Sequence, residues 1–254
     1  MKVDFGKTAQ DYRQHRAGFP EAFFARAAAL GVGLAGQQML DVGTGTGTLA
    51  RGFALRGAQV TALDPAAPLL EQARSLDEQA GVQIAYHEGT AEALPFGDES
   101  FDVLSAGQCW HWFDRAKAAQ EAYRVLRRGG VMAIAHFDWL PLSGNVVEAT
   151  EQLILQHNPG WQGAGGTGIH ATHFADLAQA GFVGLESFSF DVPVSYSHEA
   201  WRGRIRASAG VAASLSPAAV AVFDQELAAL LARDFHDDPL CIPHRVLMVY
   251  ARKY

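Results

Sequence analysis

The sequence predicts an α/β chain built on a doubly wound parallel sheet, and three observations carry that expectation. Short apolar runs alternate with stretches of helical spacing along the first 140 residues. The first run passes directly into a glycine-rich turn, "LDVGTGTGTLARG" at 40–52, and the second closes on an acid, Asp64. Strand–helix alternation of this kind buries a parallel sheet between helices, and right-handed crossovers then favour double winding.

The elements follow in order. "QMLDV" at 38–42 reads as a buried strand ending in a turn. "GTLARGFALRG" at 47–57 places Leu49, Phe53 and Leu55 near helical spacing, with Gly57 as the stop. "AQVTALD" is the second strand, and "PAAPLLEQARSLDEQAG" a helix with early proline and terminal glycine. "VQIAY", "FDVLSA" and "GVMAIAHF" continue the strands, and "DRAKAAQEAYRVLRRGG" is the helix before the last of these. Beyond residue 140 the pattern loosens. "NVVEATEQLILQHN", "HFADLAQAG" and two segments within 197–236 read as helices, the last two separated by "SLSP". "FVGLESFSFDV" and "HRVLMVYARKY" read as strands, and "PGWQGAGGTGIH" as a glycine-rich loop. The late helices are expected over the ligand-binding end of the sheet.

Composition narrows the function classes. A chain of 254 residues with 49% hydrophobic and 19% charged content is long enough, and apolar enough, for a globular core. A formal charge of −7 argues against a nucleic-acid binder with a basic face. Two cysteines, Cys109 and Cys241, build no disulfide framework and suggest a reducing compartment. The N-terminus carries no apolar signal region, and no apolar stretch approaches the ~20 residues of a membrane span. The expectation is a cytoplasmic protein that engages neither nucleic acid nor membrane.

In an open α/β sheet, ligands sit at the carboxyl ends of the strands. Gly43, Gly45 and Gly47 let backbone approach a ligand there without a Cβ in the way. Helix amides beginning near Gly47 suit a carboxylate or phosphate. No lysine lies in the loop, which removes a triphosphate-binding P-loop. The dinucleotide fingerprint needs glycine at its sixth position, where Thr48 stands. Asp64 follows Gly43 by twenty-one residues, where a carboxylate accepts both hydroxyls of a ribose. That pairing suits an adenosyl nucleoside as well as NAD. Asp64 before Pro65 also reads locally as a helix N-cap.

"LDVGTGTG" with Asp64, then "EGTAEALPFGDESFDVLSAGQCWHWFD", then "EAYRVLRRGGVMAI", resembles the class I S-adenosylmethionine-dependent methyltransferases. It is more narrowly similar to the small-molecule group with an "HWFD"-like segment after the fourth strand. The resemblance implies a Rossmann-like sheet of seven strands with the last antiparallel, and S-adenosyl-L-methionine as cofactor. Gly43, Gly45 and Gly47 would line its methionine part, with Asp41 orienting the loop. Asp64 would take the ribose hydroxyls, Pro65 would lie against the adenine, and Ala91 and Glu92 would sit at the adenine edge. Thr90 stands where many relatives carry Asp. Gln108 and His111 fall where the family lines the cofactor and the methyl-transfer channel. "DYRQHRAGFP" resembles the family's N-terminal cap and places Tyr12 and Arg16 near the cofactor carboxylate, with Ala17 in place of a usual proline. The implied organisation is one methyltransferase domain: a cap over 1–36, a cofactor-binding core over 37–140, sheet completion and helical substrate-cap insertions over 141–243, and a final strand over 244–254.

The remaining candidates concern the acceptor. Trp110 and Trp112 read either as a packed core pair or as the floor of an apolar pocket for a small-molecule methyl acceptor. His111 is the first candidate for a general base and His136 the second, needed only if the acceptor loses a proton. "HFDWLP" adds Asp138 and Trp139 as pocket residues. His136-x-Asp138 has the spacing of a metal site, but no matching third ligand is evident, so no metal is expected. His170 and His173 read as further bases reaching the site, or as surface groups or a helix cap. Arg202 and Arg206 read as a solvated helix face or as recognition of an acidic acceptor. The glycine-rich 159–168 is the expected lid. Two other function classes stand beside methyl transfer: a cofactor-binding module without catalysis, and an NAD-dependent oxidoreductase.

Overall fold

The computed structural model describes residues 18–254. Its elements run α1 (Glu21–Ala29), β1 (Gln38–Val42), α2 (Thr48–Ala54), β2 (Gln59–Asp64), α3 (Ala67–Ala80), β3 (Ala85–Glu88), β4 (Phe101–Gly107), α4 (Arg115–Val125), β5 (Leu126–Trp139), α5 (Val146–His157), α6 (Thr172–Gln179), β6 (Val183–Tyr196), α7 (His198–Arg206), α8 (Pro217–Asp234) and β7 (Leu240–Arg252). The sheet has seven strands in the order β3-β2-β1-β4-β5-β7-β6. β1 to β5 pair in parallel. β7 runs against them: Gly129 donates to Lys253 O and Lys253 to Gly130 O, whereas Leu140 donates to Pro243 O. Pairing partners that fall along one strand as they rise along the other define an antiparallel ladder. This is the α/β sheet that the alternating pattern predicts, with the strand order reversing between β1 and β4.

Local chemistry explains the boundaries. α3 carries proline in its first turn and ends on Gly81 at φ +70°, whose left-handed conformation closes the helix. α5, α7 and α8 start at Asn145, Ser197 and Ser216, each of which accepts a backbone N–H from the first turn. α4 is shorter than its helical pattern suggests. It stops at Val125 because Leu126 already pairs with Phe101. Between Phe101–Leu126 and Val103–Val131 the register shifts, so "RRGG" is a bulge, not a helical turn. Gly130 cannot be replaced there, since a Cβ would lie 2.8 Å from the carbonyl oxygen of Arg127. β3 begins at Ala85, later than the apolar run that announces it, and α1 has no counterpart in the sequence reading.

The described chain divides into two compact units. One comprises Gly18–Phe137, His170–Phe190 and Val246–Tyr254; its core is built around Leu40, Leu63, Leu104, Trp110, Ile134 and Val249. The other comprises Asp138–Ile169 and Asp191–Arg245, with Val147, Ile154, Trp201, Phe223 and Leu227 at its centre. Among the described residues no helix is long and apolar enough to cross a membrane.

Candidate functional site

The first unit gathers its polar residues where β1, β2, β4 and β5 end. The register that sets Asp41 beside Ser105 lets the Ser105 hydroxyl donate to Asp41 Oδ1 at 2.6 Å. Asp41 is 1% exposed, and burial pushes its carboxyl up to about 6 against the pull of Ser105 and Thr44. Asp64, at the end of β2, spans two loops. Its Oδ2 accepts the Gly45 N–H and its Oδ1 the Ala66 N–H, each at 2.9 Å. Burial raises its pKa, and the two backbone donors oppose that shift. Asp64 is therefore not the N-cap of α3, a position held by Ala66. Gly43, Gly45 and Gly47 all adopt positive φ, at +63°, +57° and +76°. A Cβ on Gly43 would lie 2.8 Å from both Cys109 Sγ and Phe113 Cζ, and one on Gly47 would lie 2.6 Å from the Tyr86 hydroxyl.

Three residues that sequence reasoning missed brace this loop from behind. Arg51 donates to Thr46 O and to Asp77 Oδ1, both at 2.7 Å, and the Tyr86 hydroxyl donates to Asp77 Oδ2 at 2.7 Å. Burial and the Asp77 carboxylate push the Tyr86 pKa up. At the end of β4, Gln108 sits at φ +61°, a conformation that costs a side-chain-bearing residue about 1–2 kcal/mol. Its N–H is held by Ala135 O and its side-chain amide donates to Phe137 O. Cys109 Sγ donates to Val42 O at 3.2 Å, which ties this turn to β1.

A family profile described as a methyltransferase domain matches residues 40–134. An uncharacterized methyltransferase of Mycobacterium tuberculosis is 36% identical over 135 residues, which are 53% of this chain and 52% of that protein. Over residues 40–134 the chain is therefore similar to methyltransferases. The malonyl-[acyl-carrier protein] O-methyltransferase of Erwinia billingiae is 38% identical over 127 residues, 50% of this chain and 49% of that protein. The chain spans about half the length of the curated relatives it matches. In fold it is similar to Haemonchus contortus phosphoethanolamine N-methyltransferase 2, solved with phosphomonomethylethanolamine and S-adenosylhomocysteine. That likeness has TM-score 0.58 at 20% identity, over 99% of this chain and 60% of that one.

The residues present fit S-adenosyl-L-methionine, the cofactor that the sequence resemblance implies. A carboxylate has about four acceptor positions. Asp64 uses one on each oxygen for backbone, so acceptor capacity remains beside a loop in which Gly43 and Gly47 have no room for a Cβ. Pro65 is exposed next to it. Ala91 is buried, and Glu92 Oε1 accepts the Asp114 N–H at 2.9 Å, which fixes the turn after β3. Tyr12 and Arg16 lie outside the described residues.

The aromatic segment after β4 divides. Trp110 is fully buried in the core, and its indole N–H donates to Asp176 Oδ2 at 3.0 Å, so the packed-core alternative holds for it. Trp112 is 48% exposed, and its ring lies 4.7 Å from that of exposed His111. His136 is buried at the end of β5, 6.0 Å from the His111 ring. It stacks on His170 at 3.7 Å, and its Nε2 lies 3.0 Å from His173 Nε2. Burial, with the neighbouring His170, holds the His173 imidazole down at about 4. The expectation of no metal rested on the want of further ligands near His136; the fold brings two imidazoles to it.

In the second unit, Trp139 donates to Glu151 Oε1 at 2.8 Å, and the Arg204 guanidinium lies 4.7 Å over its ring. Asp138 is half-buried. Arg202 and Arg206 converge on Asp224 and Glu199, so the helix face that they mark is an ion-pair network. The glycine-rich segment is pinned: Gly165 donates to Glu151 Oε2 at 2.8 Å and Arg245 to Thr167 O at 2.9 Å. Those anchors argue against a freely moving lid over 159–168.

Proposed function

We propose that this protein transfers a methyl group from S-adenosyl-L-methionine to a small-molecule acceptor by direct in-line displacement, in the cytoplasm. One observation carries the reading. A strand-end carboxylate, Asp64, is locked by backbone N–H groups against three left-handed glycines, within a methyltransferase domain. When bound, the cofactor supplies a methyl already made electrophilic by its sulfonium. The protein's share is then positioning, and orientation alone contributes ~7–11 kcal/mol in favourable cases.

Asp64 would hold the ribose hydroxyls, with Pro65, Ala91 and Glu92 toward the adenine and Gly43, Gly45 and Gly47 toward the methionine part. Asp41, tied to Ser105, stiffens the β1 end from which the loop springs. Gln108 fixes the wall at the end of β4. An acceptor that must lose a proton needs an accessible base. His111 is exposed, whereas His136 is 1% exposed with its Nε2 against His173, so His111 takes that role. Trp112, beside His111, offers exposed apolar surface to the acceptor. Asp138, Trp139 and His170 remain acceptor candidates on their sequence positions. The test is a metabolite pool incubated with methyl-labelled cofactor and resolved by mass. A labelled product of small mass supports the reading; label found only in macromolecules, or in nothing while the cofactor binds, rejects it.

A further inference from the structure

We propose that His136, His170 and His173 form a binding site for one divalent first-row transition-metal ion of the zinc type. One ligand atom from each imidazole lies within 4.8 Å of the other two. Two of them, His136 Nε2 and His173 Nε2, are already 3.0 Å apart. Tetrahedral coordination with Zn–N bonds near 2.0–2.1 Å sets ligand nitrogens about 3.4 Å from one another. The 3.0 Å pair and the 4.8 Å limit bracket that spacing. The three rings come from two places in the fold: His136 from the end of β5, and His170 with His173 from the start of α6.

The surroundings of His173 are those of a metal ligand. Its Nδ1 is buried without a hydrogen-bond partner and lies 3.7 Å from Asp176 Oδ2, one turn further along α6. Nε2 faces the cluster while Nδ1 faces a carboxylate, which is the arrangement that fixes the tautomer of a zinc-bound imidazole. Asp176 Oδ2 is itself held by the Trp110 indole N–H at 3.0 Å and by Arg115 at 3.2 Å. This explains a fully buried tryptophan with its only polar atom aimed at that carboxylate. Nitrogen-only ligation selects zinc, nickel, copper or iron over magnesium and calcium. Three protein ligands leave a fourth position open to water, the pattern of reactive zinc sites, whereas structural ones are closed. The His136 ring lies 6.0 Å from that of exposed His111, so the cluster adjoins the segment that follows β4.

The test uses the full chain without an affinity tag, stripped of metal and titrated with Co(II) alone, then with Zn(II) in competition. The expected result is one Co(II) per chain with visible d–d absorption, displaced by one Zn(II) that survives gel filtration. His173→Ala and His170→Ala should each weaken binding at least 100-fold, and exposed His236→Ala should not change it. If buried His173→Ala fails to fold, the half-buried His170→Ala decides. Asp176→Asn, a positioning change, should weaken binding about 10–100-fold while one-to-one stoichiometry persists. No stoichiometric metal, or undiminished affinity in folded His170→Ala, overturns the proposal. Neither readout involves the methyl donor, so this site and the proposed transfer reaction fail or stand separately.

Discussion

Replacing Asp41 by Asn should make the protein more stable at pH 8 and leave it unchanged in acid. Asp41 is 1% exposed, and burial lifts its carboxyl from an ordinary 3.8 to about 6. A raised folded-state pKa means that the charged form is penalised in the native protein. Well below pH 3.8 the group is protonated in both folded and unfolded chains, and no penalty operates. Between about pH 4 and 6 the unfolded chain has ionised while the native one still holds its proton, so stability is lost across that window and levels off above it. The gap corresponds to about 3 kcal/mol, an upper figure because neighbours can relax. The Asn side chain keeps the shape and one acceptor for Ser105, and the hydroxyls of Ser105 and Thr44 can rotate to accept its amide hydrogens. Urea melts of both proteins between pH 4 and 8 measure the difference. The Asp41→Asn variant should gain up to about 3 kcal/mol at pH 8, and the two curves should converge near pH 4. A stability difference independent of pH, or a variant weaker than wild type at pH 8, would show that the buried carboxylate carries no such penalty.

Gly43→Ala puts a Cβ at φ +63° and 2.8 Å from Cys109 Sγ and Phe113 Cζ, so urea melts should show a loss of about 2–5 kcal/mol. A loss below about 1 kcal/mol would mean that the loop can shift to accept a side chain. Tyr86→Phe removes the hydroxyl that donates to Asp77, and should cost about 1.5–3 kcal/mol in the same assay. A neutral result would show that Arg51 alone holds Asp77. His111→Ala should leave stability within about 0.5 kcal/mol, because the ring is exposed. With an acceptor that loses a proton it should lower turnover ~10²–10⁴-fold and flatten the acid limb of the rate profile. Unchanged turnover and pH dependence would remove His111 from the chemistry.

The first half of the fold was legible because each apolar run there ends in a turn residue with a backbone reason to be where it is. Gly81 closes α3 at positive φ, and Asp64 closes β2 by accepting two loop N–H groups. The overlong helical reading of α4 failed because arginines have high helix propensity, whereas the bulge at 127–130 is set by pairing with β4. α1 escaped notice because its "EAFFARAAA" has no polar cap, only Pro20 before it. In the site, the glycines and Asp64 could be read from order and spacing. The Arg51–Asp77–Tyr86 brace could not: its members lie on α2, α3 and β3, and each alone reads as an ordinary surface residue. The histidine cluster was hidden for the same reason, since His170 and His173 follow His136 by more than thirty residues. "HxxH" at the start of α6, with Asp176 a turn later, was the available signal.

Isothermal titration of the full chain measures whether Asp64 and the three glycines hold S-adenosyl-L-methionine. Wild-type protein should bind S-adenosylmethionine and S-adenosylhomocysteine at one per chain and show no heat with NAD. Asp64→Asn keeps one acceptor but places an amide donor against a backbone N–H and toward the ribose, so affinity should fall by about 1.5–3 kcal/mol, roughly 10- to 150-fold. Absence of binding to either adenosyl ligand, or equal affinity in a folded Asp64→Asn variant, would mean that this loop is not the cradle of the methyl donor.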